Sequence, residues 1–495
     1  MIGGGSYRNS QSHRNAMPTT AQSSEDACRT ASWPAQSSIH YPGSAAFTEA
    51  TVRWNAYGAP SYCAAVSPSN AEEVASIVKV ANAAGIPFLA TGGRHHYGTT
   101  LQRLQNGLAI DLSRLNVVTV DRSSSTATIG GGAKIRDVLK TVSEAGYQIP
   151  SGACNSAGYI GSGLGAGVGY LEGTFSLVID SLVSAKLVTA SGDVIQVSDS
   201  SHSDLFWAIR GAGANFGIIT SAVFKLSQPV NNGNVFYADL VYGASQKSEY
   251  FNAIQTLIND DMPSQLGFST TLSWNASKNE TGILTSLIYV GTETEARKRL
   301  AVFFELNPVV FAAKVIPFAQ VPNVLRMGAT DASCNTTGGM RSILTVNVRQ
   351  FVAETHLSVF DKFDDFMKQY PDSRSSALIF ETFSNHATLT VPNEKTAYPW
   401  RDARGNYMLQ LRRTNLDNPF GASVNDFAKE LRADLVASSG YPELSAYVSY
   451  TYGDETLEQK FGRDKLPRLI ELKKKWDPEN VFGYCNPLPT HYQPS

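Results

Sequence analysis

The sequence predicts an α+β protein built in two units, and three observations carry that prediction. The chain has 495 residues, more than one ordinary core holds. Its first half alternates short apolar strands with amphipathic helices, without the strict rhythm of a doubly wound sheet. From about residue 228 the strands lengthen and helices fall between them, which suits an antiparallel sheet covered by helices on one face.

Taken in order, residues 1–30 are rich in Ser, Asn and Gln and lack the apolar stretch of a secretory signal, so they read as a leader outside the fold. Ser67-Pro68-Ser69-Asn70 supplies a turn and a cap for a helix over 71–84. Val74, Ile77, Val78 and Ala81 share one face of it, and Gly85 stops it. Strands follow at 86–90 and 108–112, then a hairpin from 117–120 and 126–129, then a helix at 134–145 stopped by Gly146. Strands at 182–190 and 194–197 meet at Ser191-Gly192-Asp193, a hairpin signal. A short helix at 205–209 and a strand at 217–226 end this half. In the second half, strands are expected at 234–242, 267–275, 281–290, 343–352, 378–389, 407–413 and 446–452. Helices are expected at 246–259, 293–306, 357–370, 424–438 and finally 466–475, before Asp477-Pro478. The expected organisation is an arm at 1–44, a first domain from 45–227 and 455–495, and a second at 228–454.

Composition narrows the partners. Net charge is −2, with no basic excess, so nucleic acid is not an expected partner. No run of 18 apolar residues occurs, so no membrane span is expected. A monomer is expected. Five cysteines without a C-x-x-C pair argue against a zinc cluster. Sequons at Asn275, Asn279 and Asn335 favour a secreted origin. In that setting Cys28 and Cys63 either pair, tying down the arm, or remain two thiols.

The densest signal is residues 150–173, with eight glycines in 24 residues. Such a run suits backbone that must pass close to something flat or anionic. Gly161-Ser-Gly163-Leu-Gly165-Ala166 satisfies G-x-G-x-x-A, but a Ser-Gly-Ala-Cys-Asn-Ser loop precedes it where a dinucleotide fingerprint needs a strand. Its glycines alternate on to Gly169, which predicts an extended backbone presenting N–H groups to a pyrophosphate rather than a helix. A second turn, Thr91-Gly92-Gly93-Arg94-His95-His96-Tyr97-Gly98, brings two glycines, a cation and two imidazoles. Adjacent histidines on a turn diverge and no acidic third ligand follows, so no metal is expected. A third stretch, Phe206 to Thr220, is a glycine turn between a helix and a strand.

Together these stretches resemble the FAD-linked oxidases of the berberine-bridge-enzyme and oligosaccharide-oxidase type, in the vanillyl-alcohol-oxidase superfamily. The likeness covers about residues 50–490. In the family's first motif a histidine is bonded to the flavin 8α-methyl; that position is His95, with His96 where a serine is usual. Gly152-Ala-Cys154-Asn-Ser-Ala-Gly158 resembles the motif whose cysteine is bonded to flavin C6, with Ala157 in place of valine. The segment from Trp207 to Thr220 carries the third motif in full, and Trp476 to Phe482 resembles the closing one.

The resemblance implies a two-part FAD-binding domain of PCMH type plus a substrate domain with an antiparallel sheet covered by helices. It implies FAD attached through His95 and Cys154. The surrounding cofactor contacts would be Thr91, Gly92, Gly93, Arg94, His96, Gly152, Ser156, Gly158, Gly161, Gly163, Gly217, Ile219, Tyr484 and Asn486. In a nest of N–H groups the Cys154 thiol should have a lowered pKa and be a competent nucleophile. The resemblance aligns Tyr450 with the family's base and Glu381 with an acidic residue that activates it, with His386 and Tyr452 in reserve. Arg401 reads as a structural pairing residue. The expected reaction is oxidation of an alcohol, or oxidative cyclisation, of a secondary-metabolite intermediate, with dioxygen giving hydrogen peroxide. Oxidation of the anomeric hydroxyl of an oligosaccharide is the alternative, and a flavin-retaining non-redox cyclase a second. Ser384-Asn385, where carbohydrate oxidases tend to have glycines, and the altered Arg94-His95-His96-Tyr97 favour the first.

Overall fold

Three sheets surround a central cavity in the computed structural model, which describes residues 24–260, 262–412 and 422–492. The first sheet has four strands: β1 (Ser38–His40), β2 (Tyr62–Ser67), β3 (Phe88–Thr91) and β4 (Gly107–Asp111), in the order β1-β2-β4-β3. β2 and β3 run parallel to β4, while β1 is an antiparallel edge. The parallel pairing requires a crossover, and the helix Ala71–Ala83 provides it. The Asn70 side chain accepts the Glu73 N–H to cap that helix. Val74, Ile77, Val78 and Ala81 are fully buried on its sheet side, as their spacing predicts.

The second sheet contains β5 (Val118–Asp121), β6 (Thr126–Gly130), β7 (Leu182–Val188), β8 (Val194–Ser198) and β9 (Ile218–Lys225). Its order is β5-β6-β9-β7-β8, all antiparallel, and both expected hairpins are present. The third sheet is built from β10 (Asn234–Tyr242), β11 (Leu266–Asn275), β12 (Glu280–Tyr289), β13 (Val309–Pro317), β14 (Ser342–Val348), β15 (Ala377–Phe383) and β16 (Gly405–Leu411). It is antiparallel throughout, in the order β13-β10-β12-β11-β15-β16-β14. Helices Lys247–Asp260, Ala353–Gln369 and Ala422–Ala437 contribute to the core on one of its faces. The period of two along β15 then divides the side chains: Leu378 and Phe380 enter the helix-covered core, while Ile379 and Glu381 face the cavity. In β16, Leu409 likewise packs under the helices while Met408 and Gln410 line the cavity.

Several expectations are corrected. Residues 446–452 form no strand but a single 3-10 turn, Val448–Tyr450. Its groups are claimed from outside: Asn486 Nδ2 donates to Val448 O, and the Tyr447 hydroxyl accepts the Gly167 N–H. β15 stops at Phe383, and a helical turn, His386–Leu389, follows. The helix expected at 293–306 is two, Glu293–Arg299 and Ala301–Glu305, broken at Leu300. β13 carries four exposed large apolar residues, Val309, Val310, Phe311 and Val315, whose spacing matches no template for a half-buried strand. The glycine stretch is not extended throughout, since Tyr159–Gly163 is a short helix entered from Gly158. The leader reading fails for its described part: Ser24–Thr30 is helical and a Cys28–Cys63 disulfide fastens it to β2. Residues 1–23 and Arg413 lie outside the described residues.

Candidate active site

β3 delivers the turn beginning at Thr91 directly against the glycine stretch. A Cβ on Gly93 would sit 2.0 Å from Gly158 N, and one on Gly92 would sit 2.8 Å from Gly131 O. Only glycine lets the two backbones touch in this way. Arg94, with φ 57°, turns the chain, and its guanidinium is held by Asp111 at 2.7 Å. The result is one wall of a cavity of about 380 Å³, opposed by side chains of β15 and β16.

His95 sits at the junction of the two turns. Its ring stacks on Trp54, 5.5 Å between centroids, and its Nε2 lies 2.9 Å from Ser156 Oγ. The Ser156 hydroxyl hydrogen is already donated to Cys334 O at 2.6 Å. Nε2–H is therefore the donor to Ser156, which leaves the lone pair on Nδ1. Burial, reinforced by Lys134, Arg53, Arg341 and Arg94, pushes the imidazole down to about 3. His95 is thus neutral with Nδ1 free to act as a nucleophile.

Cys154 differs from expectation. Its sulfur is bonded to Cys334, so it is no free, low-pKa thiol in this structure. Cys334 lies on the helix Ala329–Asn335, and hydrogen bonds seat that helix on the cradle: Ser156 Oγ to Cys334 O, Asn155 Nδ2 to Asp331 Oδ1 at 3.3 Å, and Trp54 Nε1 to Ser333 O at 2.7 Å. The two cysteines are 180 residues apart, a pairing no sequence spacing signals. Cys485 is the free cysteine, and burial pushes its thiol up to about 11.

Of the other expected cofactor contacts, Thr91, Gly92, Gly93, Arg94, His96, Gly152, Gly158, Gly161, Gly217, Ile219, Tyr484 and Asn486 all line the cavity. Ser156 and Gly163 do not. Ser156 acts through His95, and Gly163 admits Val178, whose Cγ1 would lie 3.0 Å from an added Cβ. Around the cavity, Arg53 Nε and Nη1, Thr91 Oγ1, His96 Nε2 and Tyr97 OH are buried without a protein partner. Unpaired buried polar atoms are costly, so this donor-rich rim fits a ligand bearing phosphate and carbonyl oxygens, as FAD does. Among the described residues no group of His, Cys, Asp and Glu could hold a metal ion, and no helix is long and apolar enough to cross a membrane.

Opposite the cradle, Tyr450 donates to Glu381 Oε2 at 2.9 Å. Burial pushes Glu381 up to about 7, against the pull of the Tyr450 hydrogen bond and Arg326. Burial also raises Tyr450 well above 10, and the Glu381 charge adds to it. The pair is a hydrogen-bonded proton acceptor facing the cavity. The reserves fall away: His386 Nδ1 meets Ser384 Oγ at 2.6 Å, the Tyr452 hydroxyl meets that of Tyr57, and neither lines the cavity. Arg401 pairs with Asp180 through two bonds, 3.0 and 2.7 Å, as a structural residue. Sequence reasoning missed Arg53, Trp54, Arg326, Met408 and Gln410, which carry no motif and reach the cavity only through the fold.

Two glycine turns in backbone contact, a neutral histidine at their junction and a Tyr–Glu pair facing them describe a flavoprotein oxidoreductase. Residues 63–198 match the FAD binding domain family, and residues 446–489 match the family described as berberine and berberine like. The chain belongs to the berberine-bridge-enzyme-like FAD-linked oxidoreductases. It is 42% identical over 455 residues to the FAD-linked oxidoreductase srdI of Neurospora crassa, covering 92% of this chain and 90% of that one. Its fold is similar to BBE-like 1 of Physcomitrella patens, with a TM-score of 0.82 at 20% identity over 95% of this chain and 100% of that one. It is also similar to a glucooligosaccharide oxidase from Acremonium strictum, described with a 6-S-cysteinyl, 8α-N1-histidyl FAD. That TM-score is 0.81 at 22% identity, over 93% and 98% of the two chains.

Proposed function

We infer that the protein is a secreted, monomeric oxidase that converts an alcohol of a secondary-metabolite intermediate to a carbonyl, or closes a ring oxidatively, with dioxygen reduced to hydrogen peroxide. The observation that carries this reading is the Tyr450–Glu381 pair facing the glycine cradle. In this reading 45–227 with 455–495 hold the cofactor, and 228–454 supply the substrate face. Bound FAD supplies the hydride acceptor and passes the electrons to dioxygen. The ionised Glu381 carboxylate takes the Tyr450 proton as the Tyr450 oxygen takes the substrate hydroxyl proton, so the alcohol oxygen becomes electron-rich as its C–H bond breaks. His95 Nδ1 would hold the cofactor at its 8α position, and Cys154 would hold C6 in chains where its sulfur is not bonded to Cys334. Holding the cofactor covalently leaves the cleft free to stay wide.

The test is anaerobic mixing of purified holoenzyme with candidate alcohols. Bleaching of the yellow flavin band, followed by peroxide release on admitting air, is expected. Turnover without bleaching would identify the non-redox cyclase instead. Peroxide release from cellobiose or xylobiose at rates matching the best apolar alcohol would establish the oligosaccharide reading.

A further inference from the structure

Arg326 is one of the guanidinium groups lining the cleft, and its charge is felt by Glu381 and Asp239. Arg326 occupies the turn Arg326-Met327-Gly328, between the short helices Val321–Val324 and Ala329–Asn335. All three residues have positive φ, at 56°, 57° and 82°. The left-handed region is natural for glycine but costly for Arg326 and Met327. The turn is held from beneath by a fully buried carboxylate. Asp239 Oδ2 accepts the Met327 N–H at 2.5 Å. Its Oδ1 accepts from Ser286 Oγ at 2.5 Å, and Ser286 Oγ in turn accepts the Arg326 N–H at 3.1 Å. Buried groups of β10 and β12 thus hold a strained turn that presents one guanidinium.

The side chain is aimed but not neutralised. Arg326 Nε donates to Thr330 Oγ1 at 2.8 Å, and both residues line the cavity. Among the described residues no carboxylate forms an ion pair with Arg326 within 4 Å. Glu381 is the one acidic residue among those lining the cavity, and it is occupied by Tyr450. Gln410, beside Met408 on the same wall, has its carbonyl engaged by Arg412 Nη2 at 2.6 Å. Its amide N–H₂ is therefore what it offers the cavity. A guanidinium and an amide donor on the cleft lining are complementary to an acidic oxygen.

We propose that Arg326 and the Gln410 amide form the recognition site for one anionic oxygen, a carboxylate or ionised acidic hydroxyl, on an otherwise apolar substrate whose alcohol carbon faces Tyr450. The proposal rests on the reading of Tyr450 and Glu381 as the alcohol-oxidising pair. It sets the substrate apart from a neutral sugar. Arg326 here determines specificity, and the chemistry stays with Tyr450 and Glu381.

The test uses holoenzyme titrated with benzoate and with its neutral isostere benzamide, read by flavin absorbance and in parallel by calorimetry. Wild type is expected to prefer benzoate by about 10-fold or more, the scale of one charge-assisted contact. Arg326→Gln is expected to erase that preference, and Arg326→Lys to restore part of it, with the unliganded flavin spectrum unchanged in both. Where Arg326→Gln folds poorly, Gln410→Glu decides: a second carboxylate on the wall is expected to abolish or reverse the preference. Equal binding of the two ligands by wild type overturns the proposal, as does a preference that survives Arg326→Gln or Gln410→Glu. Calorimetry does not depend on turnover. A flavin that no alcohol bleaches therefore counts against the oxidase reading, while a missing anion preference counts against this one.

Discussion

At the scale of single residues, the site turns on where protons sit. Glu381 must be ionised to receive a proton from Tyr450, and its pKa is raised to about 7 by burial. Turnover of a substrate whose own charge is constant should therefore rise with pH through about 7 and level off above it. Steady-state rates from mildly acidic to mildly alkaline buffer measure this. Tyr450→Phe should lower kcat by about 10²–10⁴-fold, the range for a lost general base, and Glu381→Gln should lower it and flatten the acidic limb. A profile in Glu381→Gln with the wild-type limb intact would assign that limb elsewhere. A family motif marks His95, and the resemblance points to Tyr450 and Glu381, which the fold brings into hydrogen-bond contact. Arg326 is not legible in the sequence, because its exposure to the cleft depends on Asp239 and Ser286, on strands the sequence places far from it.

At the scale of elements, the segment bearing Tyr450 shows why spacing misleads. Tyr450 and Tyr452 alternate as a strand would, yet the chain forms a 3-10 turn at Val448–Tyr450. Side chains fix it instead. Asn486 Nδ2 donates to Val448 O at 2.7 Å and Oδ1 accepts from Thr451 Oγ1 at 2.8 Å. Asn486→Ala removes one partner from each of these buried groups, which keep only their bond to each other at 2.9 Å. It should cost about 1–3 kcal/mol of stability by denaturant unfolding and lower kcat more than it raises KM. The glycine stretch shows the converse. Its density correctly signals close approach, and the contact made by Gly93 and Gly158 is backbone against backbone. Gly93→Ala requires the two turns to separate, so the purified variant should carry little or no flavin. A yellow, fully loaded Gly93→Ala would refute that close packing. The long amphipathic helices and the hairpins were legible because their periods are strong. The edge strand β13 was not, because its exposed valines follow no such period.

At the scale of the whole molecule, the cavity lies where three sheets meet, and specific contacts join them. Arg341 lies over the Trp54 ring at 4.2 Å, Asn55 Nδ2 donates to Arg341 O at 2.9 Å, and Cys334 is bonded to Cys154. No local pattern encodes contacts between residues nearly 300 apart, so this seam was not readable. The disulfide gives the seam a chemical signature. Peptide mapping without reductant should recover Cys154 joined either to Cys334 or to flavin, never to both. Cys334→Ser should raise the flavin-linked share, and an unchanged share would mean that Cys334 does not compete for that sulfur.

The same bond carries a consequence for the life history of the protein. It stitches the cradle to the helix Ala329–Asn335 across the space the cofactor would occupy. A chain that oxidises before meeting its cofactor is sewn shut at the position where the second tether would form. The sequence of events during maturation, loading before oxidation or oxidation before loading, would then be written permanently into each molecule as one tether or two.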